Sequence, residues 1–115
     1  MAEAYPILSM DGFETEEQKK QRFLNAKKEA KKAANALKQR FGISEVFLFG
    51  SLLNVDKFAA HSDIDLAVEG MPVDDFYKAH SMLMDMIDGF EFDLVEIESC
   101  KPEVLESIRR TGVML

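Results

Sequence analysis

Phe47-Leu-Phe-Gly-Ser51 and, eleven positions on, Ser62-Asp-Ile-Asp-Leu66 are the two stretches around which the rest of the chain can be arranged. The first is an apolar strand that runs into a small-residue turn. The second alternates charged and apolar residues, and in an extended strand the carboxylates of Asp63 and Asp65 stand on one face, about 6–7 Å apart. Two like charges so close repel each other and raise the pKa of one. A divalent cation between them removes that penalty, and hard oxygen ligands suit Mg²⁺. The segment couples a turn able to approach a phosphate with two aspartates able to hold a metal.

Working outward, Ser44–Phe49 (SEVFLF) reads as a buried strand. Asp63–Glu69 places Asp63, Asp65 and Ala67 on one face and Ile64, Leu66 and Val68 on the other, until Gly70 and Pro72 break it. The connection over Gly50–Ala60 has room for a short helical turn. Upstream, Thr15 to Arg40 is rich in Glu, Lys, Gln and Ala, all strong helix formers, with Thr15 and Glu17 near the start and Gly42 at the end. Phe23, Ala26, Ala30, Ala33, Ala34 and Leu37 form its narrow apolar stripe. Downstream, Val73–Asp88 follows a helical period that puts Val73, Phe76, Tyr77, His80, Leu83, Met84 and Ile87 on the buried side, with Gly89 as the cap. Phe90–Ile97 is a third strand, and Pro102–Arg110 a last helix with proline in its first turn. The order α-β-β-α-β-α predicts a small α/β (α+β) sheet with helices packed on it.

At 115 residues the chain has the length of one domain. Residues 1–13 carry Pro6 and Gly12 without periodicity and are expected to be a tail, leaving 14–115 as the single domain. That tail lacks the basic-then-apolar pattern of a signal peptide, and no apolar run is long enough to span a bilayer. The lone Cys100 rules out an internal disulfide and a Cys-rich zinc site; it suits the reducing cytoplasm, the expected location, and reads as a packing residue. The net charge of −7 is unevenly spread: nine of fourteen basic residues lie between Lys19 and Arg40. From Phe41 onward fifteen acids face five bases, a balance of −10. Such a surface does not attract nucleic acid, but it suits a site that gathers metal ions first and lets them receive an anion.

Asp93 stands among Phe92, Leu94 and Val95, an odd place for an unpaired charge. On a strand beside Asp63–Glu69 it would complete a three-carboxylate cluster able to hold one or two metal ions, as in two-metal phosphoryl transfer. Gly50 and Ser51 would offer backbone N–H groups and a hydroxyl to a triphosphate.

At these residues the chain resembles the minimal nucleotidyltransferase family of the polymerase-β-like superfamily. That family joins an apolar strand, Gly-Ser, a short spacer, Asp-x-Asp in a Ser-Asp-hydrophobic-Asp-Leu setting, and a third Asp on a later strand. The corresponding segments here are Phe47–Ser51, Ser62–Leu66 and Phe92–Val95, and the ending Ile108–Leu115 is similar to the family's closing helix and Gly-hydrophobic tail. The resemblance covers roughly 42–115 and implies a mixed sheet of the nucleotidyltransferase type. It implies AMP transfer from ATP to a hydroxyl acceptor, with Asp63, Asp65 and Asp93 as catalytic metal ligands for Mg²⁺ (Mn²⁺ as a substitute) and Gly50 and Ser51 on the nucleotide. It also implies a separate acceptor protein, a small helical HEPN-type toxin to which such a chain is the antitoxin. One departure stands out. Where the family carries a basic Ala-Arg-Gly-like loop after Gly-Ser, this chain has Leu52-Leu-Asn-Val-Asp56, with Lys57 the only nearby cation.

Plainer roles compete at each position. Asp63 and Asp65 can be scattered acids on an edge strand, Gly50 a strand-ending turn and Ser51 a helix cap. His61 has no motif around it and reads as surface; His80, Met82, Met84 and Met86 read as packing on a helix. The lysines of the first helix are spread round most of its circumference, as on a solvated face. The rival functional class is a binding module of the same fold that holds nucleotide or a partner without turnover, and Leu52-Leu53-Asn54 is the feature favouring it.

Overall fold

The Gln18 backbone N–H donates to the Thr15 hydroxyl at 3.0 Å, and the Thr15 N–H donates back to the Gln18 side chain at 2.9 Å. This capping box satisfies two of the donors that a helix end leaves free and starts α1, Glu16–Phe41. Gly42 ends it in the left-handed conformation, φ 63°, donating to the Lys38 carbonyl. The alanine stripe is buried as the sequence predicts: Ala26, Ala30, Ala33 and Ala34 with Leu37 let α1 lie close against the sheet. The structure, a computed structural model, describes residues 14–58 and 63–115; the expected tail, His61 and Ser62 lie outside the described residues.

The sheet holds β1 (Glu45–Phe49), β2 (Ile64–Glu69), β3 (Phe92–Glu96) and β4 (Val113–Met114), in the order β3-β2-β1-β4. β1 is antiparallel to β2 and β4, and β2 is parallel to β3, so the sheet is mixed. α1 and α2 (Phe76–Met86) share the main core with Val46, Leu48, Ile64, Leu66, Val68 and Leu94. α3 (Pro102–Thr111) covers the other face, where Ile108 meets Phe49 and Ala67, with Phe47, Val95 and Val104 packed around them. This is the α+β arrangement the sequence predicts, with one strand more. The closing Gly-hydrophobic segment forms β4 on the edge of β1, too short to announce itself by alternation.

The second helix corrects the expected phase. Val73–Asp75 is a 3₁₀ turn, which advances about 120° per residue rather than 100°, so Val73 falls off the helical face. The face that packs is set by Phe76, Ala79 and Leu83, whereas Val73, Tyr77 and Met84 are exposed. Of the three α2 methionines, Met82 and Met86 pack against the core. His80 does pack, with its ring 4.9 Å from that of Phe92. Gly89 is not the cap: α2 ends at Ile87, whose N–H donates to the Leu83 carbonyl, and Gly89 turns the chain two residues later.

Phe58, which no sequence pattern singles out, is fully buried. Its ring meets Phe23 edge-on at 5.6 Å, and the Arg22 guanidinium lies 4.5 Å from its centre. Arg22 also pairs with Glu14, holding that carboxyl below its ordinary pKa. α1 thereby anchors the segment that follows the Gly-Ser turn.

Candidate active site

The end of β1 brings Gly50 to the carboxylate of Asp65. Phe49 is the cross-strand partner of Asp65, and Asp93 is the partner of Asp65 on the other side, so Asp65 sits between the glycine turn and a second carboxylate. Directly paired residues share a face, and Ala67 and Val95, two residues further along each strand, pack on the α3 side. Asp65 and Asp93 therefore stand on the α3 face. Asp63, one residue before β2 begins, has the same parity as Asp65.

Gly50 has φ 81°, and a Cβ placed on it would lie 2.2 Å from Asp65 Oδ2. Both the backbone and the space demand glycine here. Gly50 opens a 3₁₀ turn, Gly50–Leu53, closed by the Asn54 N–H donating to the Ser51 carbonyl at 3.2 Å. Val55–Lys57 forms a second such turn. Leu52, the first residue of the loop that is basic in the resembled family, points inward and is completely buried. Lys57 is exposed.

The electrostatics follow from this crowding. Burial pushes the Asp65 carboxyl from its ordinary 3.8 up to about 6, and the charges of Asp93 and then Asp63 push the same way. Asp93 itself corrects an expectation: it is exposed, because Phe92 and Leu94 turn to the main core while Asp93 alternates away from it. The awkward charge is the half-buried Asp65. Among the described residues, no three Asp, Glu, His or Cys side chains converge closely enough, as placed, to hold one metal. The donor chemistry nevertheless suits a hard divalent ion, since all three groups are carboxylates and Asp65 carries the charge that a cation would relieve.

Beside Asp93 a cleft of about 420 Å³ opens between β3 and the start of α3, lined by Phe76, Val95, Cys100, Lys101 and Val104. Lys101 was not singled out by the sequence; its one signal is its place just before Pro102, at the cap of α3. Cys100 is half-buried, with its Sγ 3.6 Å from the Ile97 carbonyl.

Two solved structures share the fold. A chain of a mutant MntA-HpeT toxin–antitoxin is 20% identical with a TM-score of 0.59, over 74% of this chain and 70% of that one. A proposed nucleotidyltransferase from Sulfolobus solfataricus is 20% identical with a TM-score of 0.52, over 84% of each chain. No curated protein sequence matches significantly. The model of the family described as polymerase beta, nucleotidyltransferase matches residues 31–115. That span is most of the chain and takes in Gly50, Ser51, Asp63, Asp65 and Asp93, so the chain belongs to the polymerase beta nucleotidyltransferase family.

Proposed function

We propose that the chain transfers a nucleoside monophosphate, AMP from ATP, to a hydroxyl on a separate partner protein. The observation that carries this is the juxtaposition of the Gly50 turn with the Asp65 carboxylate, flanked across the sheet by Asp93. Gly50 and Ser51 seat the β- and γ-phosphates, the glycine because it alone leaves room for the chain to approach. Asp63, Asp65 and Asp93 hold Mg²⁺, which when bound supplies neutralising charge for the triphosphate. Asp93, exposed and next to the open cleft, receives the proton of the acceptor hydroxyl. The acceptor oxygen bonds to the α-phosphorus, the bond to pyrophosphate breaks, and pyrophosphate departs with the electron pair. Catalysis of this kind is mainly positioning and charge compensation.

The cleft beside Asp93 is open, and in this reading the partner protein brings the acceptor to it. The toxin–antitoxin neighbour supports a toxin in that role, with this chain as antitoxin, and the family resemblance implies that the toxin is of the small helical HEPN type. The loop Leu52-Leu53-Asn54 favours a second reading, nucleotide or partner binding without turnover, because it has no cation where the resembled family carries a basic loop, and its Leu52 turns into the core. Incubation with α-labelled ATP, Mg²⁺ and a co-purified partner separates the two. Transfer by wild type that is lost by several orders of magnitude in Asp65→Asn supports the enzyme. Metal-dependent ATP binding without transfer supports the binding module, and equal transfer by both proteins refutes the site.

A further inference from the structure

Three of the large apolar side chains exposed among the described residues meet in one place: Leu24, Val113 and Met114, exposed to 50%, 49% and 57%. They line a groove of about 570 Å³ between α1 and β4. Leu48 and Leu53 also line it, so its apolar surface is aliphatic. The groove belongs to the α1 side of the sheet and to the β4 edge, whereas Asp65 faces α3 and Asp93 lies on β3 at the opposite edge. The proposed chemistry does not use it.

Lys27, Lys28 and Lys31 stand on the α1 wall of this groove. Among the described residues none of the three is paired with a carboxylate; Lys27 instead lies 5.4 Å from the centre of the Phe23 ring. This is a cationic rim on an aliphatic groove, in a chain whose residues from Phe41 onward carry fifteen acids and five bases. β4 adds a second feature: it is hydrogen-bonded to β1 and has no strand on its outer side among the described residues. An edge strand of that kind presents free N–H and C=O groups to another chain.

We propose that the groove is a docking site for an acidic segment of a partner protein, with apolar residues at alternate positions, that adds as a strand beside β4. Its apolar side chains cover Leu24 and Val113, its backbone pairs with the outer edge of β4, and its carboxylates meet Lys27, Lys28 and Lys31. The open edge favours polypeptide over a lipid headgroup, which has no backbone to pair. The aliphatic lining disfavours single-stranded RNA, whose bases stack on aromatic rings. Because this surface is on the far side from Asp65, its test is independent of the proposed transfer.

The probe is a short synthetic peptide alternating Glu with Val and Leu, titrated into ¹⁵N-labelled protein, with a Lys-for-Glu peptide as control. The expected result is a set of shifts confined to Leu24, Lys27–Lys31 and Val113–Met114, salt-sensitive affinity, and roughly tenfold weaker binding by Lys28→Glu/Lys31→Glu. Val113→Ser, which keeps the charges, should also weaken it. Circular dichroism identical to wild type shows that the variants fold. Absence of binding at millimolar peptide, equal binding of the Lys peptide, or no loss in the charge-reversed variant overturns the proposal. So does preferential binding to phosphatidylglycerol vesicles, or self-association that the charge reversal abolishes.

Discussion

Replacing Asp65 with asparagine should make the metal-free protein more stable while disabling it. The ionised carboxylate is disfavoured in the folded state: its pKa is pushed from 3.8 to about 6 by burial, then by Asp93 and Asp63. Each tenfold change in proton affinity is worth about 1.4 kcal/mol, so the ceiling of the penalty at neutral pH is about 3 kcal/mol. Solvent still reaches this half-buried group, and that screening reduces the expected gain from Asp65→Asn to about 1–2 kcal/mol. The sign is fixed by linkage. Below the unfolded pKa near 4 both states of the wild type are protonated and the penalty is absent; it grows as pH rises to about 6 and is flat above. Urea denaturation between pH 3.5 and 8 should therefore show Asp65→Asn gaining on wild type across that window, and at neutral pH a melting temperature higher by roughly 3–8 °C. Adding Mg²⁺ should stabilise wild type and leave the variant unmoved. A variant less stable than wild type at pH 7, or a difference that does not change with pH, would refute this account of Asp65.

Gly50→Ala places a methyl group 2.2 Å from Asp65 Oδ2 and strains a backbone at φ 81°, so urea midpoints should report a loss of about 1–3 kcal/mol; a change within 0.5 kcal/mol would show that the turn yields. Leu52→Ala, at a fully buried position, should cost about 2–5 kcal/mol and Leu52→Met less than about 1.5, measured the same way. Tyr77→Ala and Met84→Ser should each stay within about 0.5 kcal/mol of wild type, whereas Leu83→Ala should not; losses at Tyr77 and Met84 as large as that at Leu83 would restore the helical phase expected from the sequence. Glu69 is raised above its ordinary pKa first by a hydrogen bond with Glu45, so an NMR titration of Glu45→Gln should find Glu69 titrating lower.

What was legible in the sequence was whatever repeats with a period or needs a special residue. The alanine stripe of α1, its Thr15 cap and its Gly42 stop are local signals, and the structure places each of them there. Alternation over 63–69 gave the two faces of β2, because a strand buried on one side leaves that mark. The phase of α2 was not legible, since its first turn is 3₁₀ and Tyr77 and Met84 are apolar yet unpacked. β4 is a pair of residues defined only by its partners Phe47 and Leu48, and pairing between distant segments has no local signature. Among the candidate residues, the types and spacing of Gly50, Asp65 and Asp93 could be read, but their register could not. That Asp65 rather than Asp93 bears the buried charge follows from the strand faces, as does the contact between Asp65 and Gly50. Phe58, held by Phe23 and Arg22 from α1, was invisible for the same reason.

The measurement closest to the proposed chemistry is a calorimetric titration of ATP into the protein at pH 7.5, with Mg²⁺ present and then with the metal chelated. A cluster of carboxylates beside a phosphate-accommodating turn repels a bare triphosphate, so binding is predicted with metal, absent or at least tenfold weaker without it, and lost in Asp65→Asn. Equal affinity with and without metal, or undiminished binding by the variant, would contradict a metal-bridged nucleotide at Asp63, Asp65 and Asp93.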